Sequence, residues 1–452
     1  MREELKNIEH IHFIGIGGIG MSGLAEYLTL QGYKISGSEL NLSSITERLE
    51  KLGIKIFQGH SKENIGKNIQ LVVYTSAVKN DNPELQEAYQ RNMMVVKRSK
   101  LLGLIVNRMK TLAISGTHGK TTTSAMLAKV LIDSGLDPDV FIGGSVRFLN
   151  DSSMRVGCGE IAVVEADEYD RSFLDLDADI IVINNIELDH PDIYQTVEEV
   201  KQSFYDFIKA STKEPVVIAN IDDINVLELI KEVPCKLVTY GFSDSSDYNI
   251  RIIDSEHFLI NGVEIELSVF GRHNMYNATA VFVVASLLNI SVEIIRNSLR
   301  TYSGLHRRLE LRYSNEIKIF DDYAHHPSEI LASLVALKNN YDGRIVTVFQ
   351  PHTYTRTQTF YKEFADALSE SDYVILTPVY PARENKIPGV SSELIYEELK
   401  NLKKIPVTLV TTLDNLIGEL KSKVGPKDIV LFQGAGNITD YCTLYLKELT
   451  NE

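Results

Sequence analysis

The sequence predicts an α/β protein of three domains built on mostly parallel sheets, and three observations lead there. Its 452 residues, at roughly 150 per domain, give a prior of about three domains. Short apolar runs alternate with helical periodicity, the pattern of βαβ units. Neither a 20–50-residue repeat nor a low-complexity tract is present, which removes solenoids and propellers.

Three blocks follow in order. The first has an apolar run at 12–16, a helical pattern at 19–31 and strands at 33–36 and 71–75. The second opens with a strand at 111–115, has strands at 161–164 and 180–184, and carries an apolar helix at 274–288. The third shows strands at 317–320, 344–349, 373–377, 407–410 and 429–432. The expected domains are therefore 1–107, 108–302 and 303–452.

Acidic residues number 61 and basic residues 46, a formal net charge of −15. No broad basic surface for nucleic acid or an anionic membrane is expected from that balance. A hydrophobic fraction of 44% against 24% charged is that of a globular chain. No apolar run reaches the roughly 18 residues of a membrane span, and the opening MREELKNIEH lacks the apolar core of a signal peptide. Three scattered cysteines, Cys158, Cys235 and Cys442, suggest neither a disulfide framework nor a zinc site. The expectation is a soluble cytoplasmic protein.

GTHGKTT at 116–122 follows a predicted strand and opens a helix. Glycines there let backbone N–H groups turn toward a phosphate chain, which the helix N-terminus also favours. Lys120 can reach the β/γ-phosphates and Thr121 can offer its hydroxyl to Mg²⁺. Two acid-tipped strands follow, ending in Glu165-Ala-Asp167-Glu168 and Glu187-Leu-Asp189-His190. Acids at the carboxyl ends of parallel strands lie where open α/β sheets bind ligands, and suit Mg²⁺. His190 among them is a metal ligand or an acid/base group.

At the N-terminus, Gly15, Gly17, Gly18 and Gly20 lie between the first strand and first helix, with Glu39 about 20 residues on. That geometry binds a pyrophosphate, in NAD or in a nucleotide sugar. Three later segments are polar for their setting. His273, Asn274 and Asn277 open the helix at 274–288, where they can meet a purine edge; N-capping by Asn274 explains one of the three. Tyr323, His325 and His326 end a strand of the third block, and Arg356 follows another, suited to an anion.

Taken together, GIGGIGMSG, GTHGKTTT, EADEYD, NNIELDHPD, GRHNMYN, HRR, DDYAHHP and FQPHTYTR resemble, in order and across the whole chain, the ATP-dependent Mur ligases of peptidoglycan synthesis. The GIGGIGMSG form is most similar to the alanine-adding members. The resemblance implies a Rossmann-like UDP-sugar domain, a central P-loop ATPase domain and a Rossmann-like C-terminal domain on the amino-acid side. It implies that L-alanine is joined to the carboxylate of UDP-N-acetylmuramate through an acyl phosphate, giving ADP and phosphate. That reaction belongs to cell-wall precursor synthesis, hence to cell shape and division.

By the same resemblance, Gly15, Gly17, Gly18, Gly20 and Glu39 lie on the UDP-sugar. Gly116, Thr117, His118, Gly119, Lys120, Thr121 and Thr122 hold the ATP phosphates, and His273, Asn274 and Asn277 the adenine side. Thr121, Glu165 and His190 hold Mg²⁺. Arg308 approaches the phosphates, and Tyr323, His325 and Arg356 line the substrate. Lys120, His190, His325 and Arg308 form the catalytic set. Two departures stand out: Thr353 replaces the first arginine of FQPHRYTR, and Tyr205 stands where some related ligases carry a carbamylated lysine.

Other readings stay open at this level. A dehydrogenase would use the N-terminal glycines for NAD but leave the P-loop unexplained. A nucleotide switch would bind ATP without making a bond. A recycling ligase would attach a preformed peptide to the same sugar. The chain is expected as a monomer or homodimer.

Overall fold

The computed structural model describes residues 5–382, 384–412 and 415–450. Residues 1–4 of the charged opening segment lie outside them. Three sheets carry the chain, of five, ten and six strands. α/β architecture with mostly parallel strands is as the periodicity predicts.

The first sheet has the spatial order Lys55–Gln58, Lys34–Glu39, His10–Ile14, Leu71–Tyr74, Met94–Lys97, and every pairing is parallel. Its topological switch lies beside His10–Ile14, whose carboxyl end opens into the glycine loop and helix Ile19–Leu30. That helix also reaches the second sheet, where the Tyr27 hydroxyl donates to Asp139 Oδ2 at 2.9 Å and the Tyr27 ring meets Phe141. Leu24, Leu28, Phe141 and Met154 are all buried in one continuous apolar cluster, so the first two sheets share a core.

In the second sheet, strand Lys110–Ser115 lies between Ile161–Glu165 and Ile180–Ile183, parallel to both. Their three carboxyl ends therefore emerge together, ahead of helix Lys120–Asp133. Antiparallel strands close both edges of this sheet. One edge hairpin joins His257–Ile260 to Val263–Glu266 through Asn261 and Gly262, both at positive φ (47° and 83°). That Asn-Gly pair is a two-residue hairpin signal.

The third sheet has the order Glu310–Ser314, Lys318–Asp322, Ile429–Gln433, Ile345–Phe349, Tyr373–Leu376, Val407–Leu409. Its first pairing is antiparallel and the rest are parallel. Helices Pro327–Asn340 and Tyr354–Leu368 follow Lys318–Asp322 and Ile345–Phe349, and their N-terminal ends meet loops of the second sheet, His326 at the Leu188 carbonyl and Arg356 at Asp189. No helix among the described residues is long and apolar enough to cross a membrane.

Candidate active site

The phosphate loop is built around two glycines. Gly116 has φ +131°, and a Cβ there would stand 3.1 Å from the backbone nitrogens of Asn184 and Asn185. Gly119, the N-cap of helix Lys120–Asp133, has φ +80°, and a Cβ would come within 2.6 Å of Asn277 Oδ1. Asn185 Oδ1 accepts from the His118 N–H at 2.7 Å. The loop is thus held closely by the neighbouring strand end and by helix Arg272–Leu287, and a side chain on either glycine would crowd these neighbours.

Lys120 is folded into the loop. Its Nζ donates to the carbonyls of Gly116 and Thr117 at 2.8 and 3.1 Å, and to Glu168 Oε1 and Oε2 at 2.9 and 2.7 Å. Burial would lower the Lys120 ammonium, but Glu168 and Asp167 outweigh it and raise it. Burial outweighs Lys120 at Glu168 and pushes that carboxyl up. The sequence places Glu168 among acids suited to Mg²⁺; the structure makes it the partner of the loop lysine.

Thr121 and Glu165 are brought together as expected of neighbouring strand ends. Thr121 Oγ1 donates to Glu165 Oε1 at 3.0 Å, and the Gly143 N–H donates to Oε2 at 2.6 Å. This all-oxygen pair fits a hard cation such as Mg²⁺. His190 belongs to a different cluster, with Nε2 at 3.9 Å from Glu168 Oε1 and 3.8 Å from Asp189 Oδ2. Asp167, Glu168 and His190 each offer a ligand atom within 4.8 Å of the others. Of the three residues expected on Mg²⁺, Thr121 and Glu165 thus stand together and His190 stands with Asp167 and Glu168.

Behind the loop lies a cleft of about 230 Å³, lined by His118, Asn274, Asn277, Tyr302, Arg308 and Glu329 among others. His273 also lines it, and burial lowers its imidazole. Asn277 bonds Asn274 Oδ1 at 3.2 Å and accepts from Thr123 at 3.1 Å. Its polar atoms therefore tie helix Arg272–Leu287 to the phosphate-loop helix as well as facing the cleft. Thr122 also faces it.

Glu329, on helix Pro327–Asn340, is the residue that sequence reading passed over. Its Oε1 lies 3.2 Å from His118 Nδ1 and 3.6 Å from Arg308 Nη1, and its Oε2 accepts from the His325 N–H at 3.1 Å. An acid in the first turn of a helix is favoured by the helix dipole alone, so nothing local in the sequence points to this contact. Burial would lower the His118 imidazole, yet Glu329 and Glu187 overcome it and raise it to about 10. Burial would raise Glu187, yet His118 holds it down to about 2.

The sign of each shift sets a pH window. The His118 contribution is complete below pH 6.5 and is lost as pH rises through about 10. That of Glu187 is present above pH 4.5 and is lost as pH falls toward about 2. Resistance to urea from this pair should therefore be greatest between pH 4.5 and 6.5, where both contributions are complete, and weaken on either side. A denaturation midpoint that rises between pH 8 and 10 would contradict the pairing.

Arg308 stacks on Tyr323, 5.2 Å from guanidinium to ring centre. His325 Nδ1 lies 3.0 Å from the Tyr323 carbonyl, and burial pushes its imidazole down to about 3. Arg356, expected on an anion, has its donors engaged within the protein. Nε and Nη2 donate to Asp189 Oδ1 at 3.0 and 2.8 Å, and Nη1 to the His352 carbonyl at 2.9 Å. The pair is buried, with Arg356 and Asp189 only 5% and 6% exposed. Truncating one partner of a buried pair leaves an uncompensated charge. Arg356→Ala should lower apparent stability by about 3–5 kcal/mol in urea unfolding, and a loss under about 1 kcal/mol would mean solvent screens the pair.

Thr353, at the departure from FQPHRYTR, hydrogen-bonds Glu384, which also accepts from the Thr355 N–H at 2.9 Å. Lys201 pairs with Glu228 at 2.8 Å and Lys209 lies over the Tyr205 ring.

In the first domain, Gly17 N–H donates to Glu39 Oε2 at 2.8 Å and Leu40 N–H to Oε1 at 2.9 Å. Glu39 therefore braces the glycine loop. Gly15 has φ +77°, and a Cβ on Gly20 would stand 3.1 Å from Arg98 Nη1. Arg98, which heads helix Arg98–Val106, is a cation that the glycine pattern did not reveal. Gly18 and Gly20 line a second cleft of about 260 Å³ whose far wall is Glu165 and Asp167. Gly15, Gly17, Gly18 and Glu39 also line a wider groove of about 720 Å³ with His60.

Three family models match the chain in succession: "Mur ligase family, catalytic domain" over residues 10–110, "Mur ligase middle domain" over 114–285 and "Mur ligase, glutamate ligase domain" over 307–436. The UDP-N-acetylmuramate–L-alanine ligase of Acetivibrio thermocellus is 40% identical, covering 97% of this chain and 96% of its own. That of Aquifex aeolicus is 39% identical over the full length of both. The crystal structure of the UDP-N-acetylmuramate–alanine ligase from Thermotoga maritima superimposes with a TM-score of 0.82 at 30% identity, covering 98% of this chain and 99% of that one. A murein peptide ligase from Psychrobacter arcticus shares the fold at TM-score 0.74 and 22% identity. Matched end to end by relatives at this identity, with the three family regions in order along three sheets, the chain belongs to the Mur ligase family.

Proposed function

We propose that the protein is an ATP-dependent ligase that joins L-alanine to UDP-N-acetylmuramate. One observation carries this reading: a single cleft is lined both by Gly18 and Gly20 of the N-terminal loop and by Glu165 and Asp167 of the second sheet. A nucleotide sugar held by its diphosphate at the glycine loop would extend its carboxylate toward the phosphate-loop end of the second sheet. The domains at 1–107, 108–302 and 303–452 then hold sugar, ATP and amino acid in turn.

A carboxylate is a poor acyl donor because its leaving group is oxide. In the first step a carboxylate oxygen bonds the γ-phosphorus of ATP and the bond to the β-phosphate oxygen breaks, releasing ADP. The residues' part is positioning and charge neutralisation, which Lys120, Arg308 and the loop N–H groups supply. Mg²⁺, held by Thr121 and Glu165 with a second ion near His190, would neutralise phosphate charge. In the second step the alanine nitrogen bonds the acyl carbon, the carbon–oxygen bond to phosphate breaks, and the proton lost by the amine passes to the departing phosphate. His325, neutral with Nδ1 toward the Tyr323 carbonyl, is suited to orient that amine by accepting a hydrogen bond.

Product mass after incubation with ATP, Mg²⁺, UDP-N-acetylmuramate and each amino acid tests the reading. Alanine adduct with stoichiometric ADP is expected; preference for a preformed peptide overturns it. Gly18 offers a cleaner probe of the sugar site. Its φ of −66° is open to any residue, and a Cβ would meet nothing closer than 3.8 Å. Gly18→Leu should fold normally and raise the sugar KM at least about tenfold, the effect of roughly 1.4 kcal/mol, with the ATP KM nearly unchanged. A rise in the ATP KM instead would reverse the two nucleotide sites.

A further inference from the structure

His118, Glu187 and His326 converge from three elements on the seam between the second and third domains. They come from the phosphate loop, the segment after strand Ile180–Ile183, and the N-cap of helix Pro327–Asn340. His118 Nε2 and His326 Nδ1 each stand 3.6 Å from Glu187 Oε2, and the three ligand atoms lie within 4.8 Å of one another. A tetrahedral ion with nitrogen and oxygen ligands at roughly 2.0–2.1 Å sets those ligands about 3.4 Å apart.

The hydrogen bonds around the rings assign which nitrogens face Glu187. His118 Nδ1 faces Glu329 Oε1 at 3.2 Å, and His326 Nε2 faces the Leu188 carbonyl at 3.3 Å. Both partners accept, so those nitrogens carry hydrogen. Once His118 loses its extra proton, His118 Nε2 and His326 Nδ1 turn lone pairs toward Glu187; His326 Nδ1 also accepts the Ser328 N–H at 3.4 Å, a helix-cap bond that a bound ion replaces. His118 Nε2 is buried without a hydrogen-bond partner. A carboxylate or carbonyl on the second nitrogen is the support that ligating histidines usually have.

Two imidazoles and one carboxylate suit zinc, cobalt or nickel, whereas Mg²⁺ prefers oxygen. We propose that His118, Glu187 and His326 bind one transition-metal dication, which clamps the phosphate loop to the third domain. The site is separate from the Thr121–Glu165 pair and from the Asp167, Glu168 and His190 cluster, and does not rest on the ligase reading. In the metal's absence a protonated His118 bridges Glu187 and Glu329; the incoming ion displaces that proton to solvent, and affinity rises with pH.

The test titrates chelator-treated full-length protein with Co²⁺ in excess Mg²⁺. One cobalt ion with the intense visible absorption of tetrahedral coordination is expected, with a raised unfolding temperature. His326→Ala and Glu187→Gln should abolish both signals, whereas His190→Ala should retain them. X-ray absorption of the zinc-loaded wild type should count two imidazoles, a measurement that needs no variant to fold. An absorption band that survives His326→Ala, fewer than two imidazoles, or no cobalt retained against Mg²⁺ would overturn the proposal.

Discussion

Lys120→Ala should abolish ligation while the chain stays folded. In the structure the ammonium joins the Gly116 and Thr117 carbonyls to Glu168, so it lies inside the loop that would receive the phosphates. Removing a preorganised charge from a site where negative charge develops costs about 10²–10³ in kcat. The substitution also strands Glu168, which is 2% exposed, and loss of one partner of a buried pair is destabilising. Burial already favours the neutral carboxylic acid there, so Glu168 can take up a proton instead of unfolding the domain. The double variant Lys120→Ala, Glu168→Gln separates the two effects. It should fold as well as the wild type by circular dichroism and remain inactive at saturating ATP. Near-normal kcat in either variant would remove this loop from the chemistry.

Glu165→Ala and His190→Ala should fail at different steps. Glu165 takes hydrogen bonds from Thr121 and Gly143, and its oxygens are the ones placed to share an ion with Thr121. Its loss should weaken Mg·ATP binding by about 10–100-fold, the scale even of outer-shell changes around a metal. Both steps stop with it. His190 stands with Glu168 and Asp189 instead, so His190→Ala should leave ATP affinity within a few-fold of wild type. Acyl-phosphate formation should nevertheless fall. Calorimetry of ATP binding, followed by chemical trapping of the acyl phosphate, measures the two effects separately. Equal loss of ATP affinity in both variants would mean that the two clusters act as one.

Much of the architecture was legible because parallel strands buried on both faces are continuous apolar runs. The strand predicted at 111–115 is Lys110–Ser115, that at 429–432 is Ile429–Gln433, and the helix at 274–288 is Arg272–Leu287. Strands with weaker apolar character escaped notice. Lys55–Gln58 and Met94–Lys97 are only half-buried edge strands, and the edge hairpin at Asn261-Gly262 is marked in the sequence only by its turn. In the site, the glycines and Lys120 were readable because a phosphate loop is contiguous and its constraint is local.

What the sequence determined by itself was the order of elements and the loops with special backbone demands, since both depend on residues within a turn or two. Gly116 and Gly119 are favoured by positive φ, and each has close neighbours, backbone nitrogens at Gly116 and the Asn277 and Asn184 side chains at Gly119. What only the tertiary structure decided was which charge meets which. Lys120 finds Glu168 across 48 positions, Asp189 finds Arg356 across 167, and His118 finds Glu329 across 211. Each pairing is fixed by sheets that bring distant strand ends and helices to one seam. Inside that seam a buried charge is tolerated only beside its opposite, so packing selected partners that local spacing does not encode.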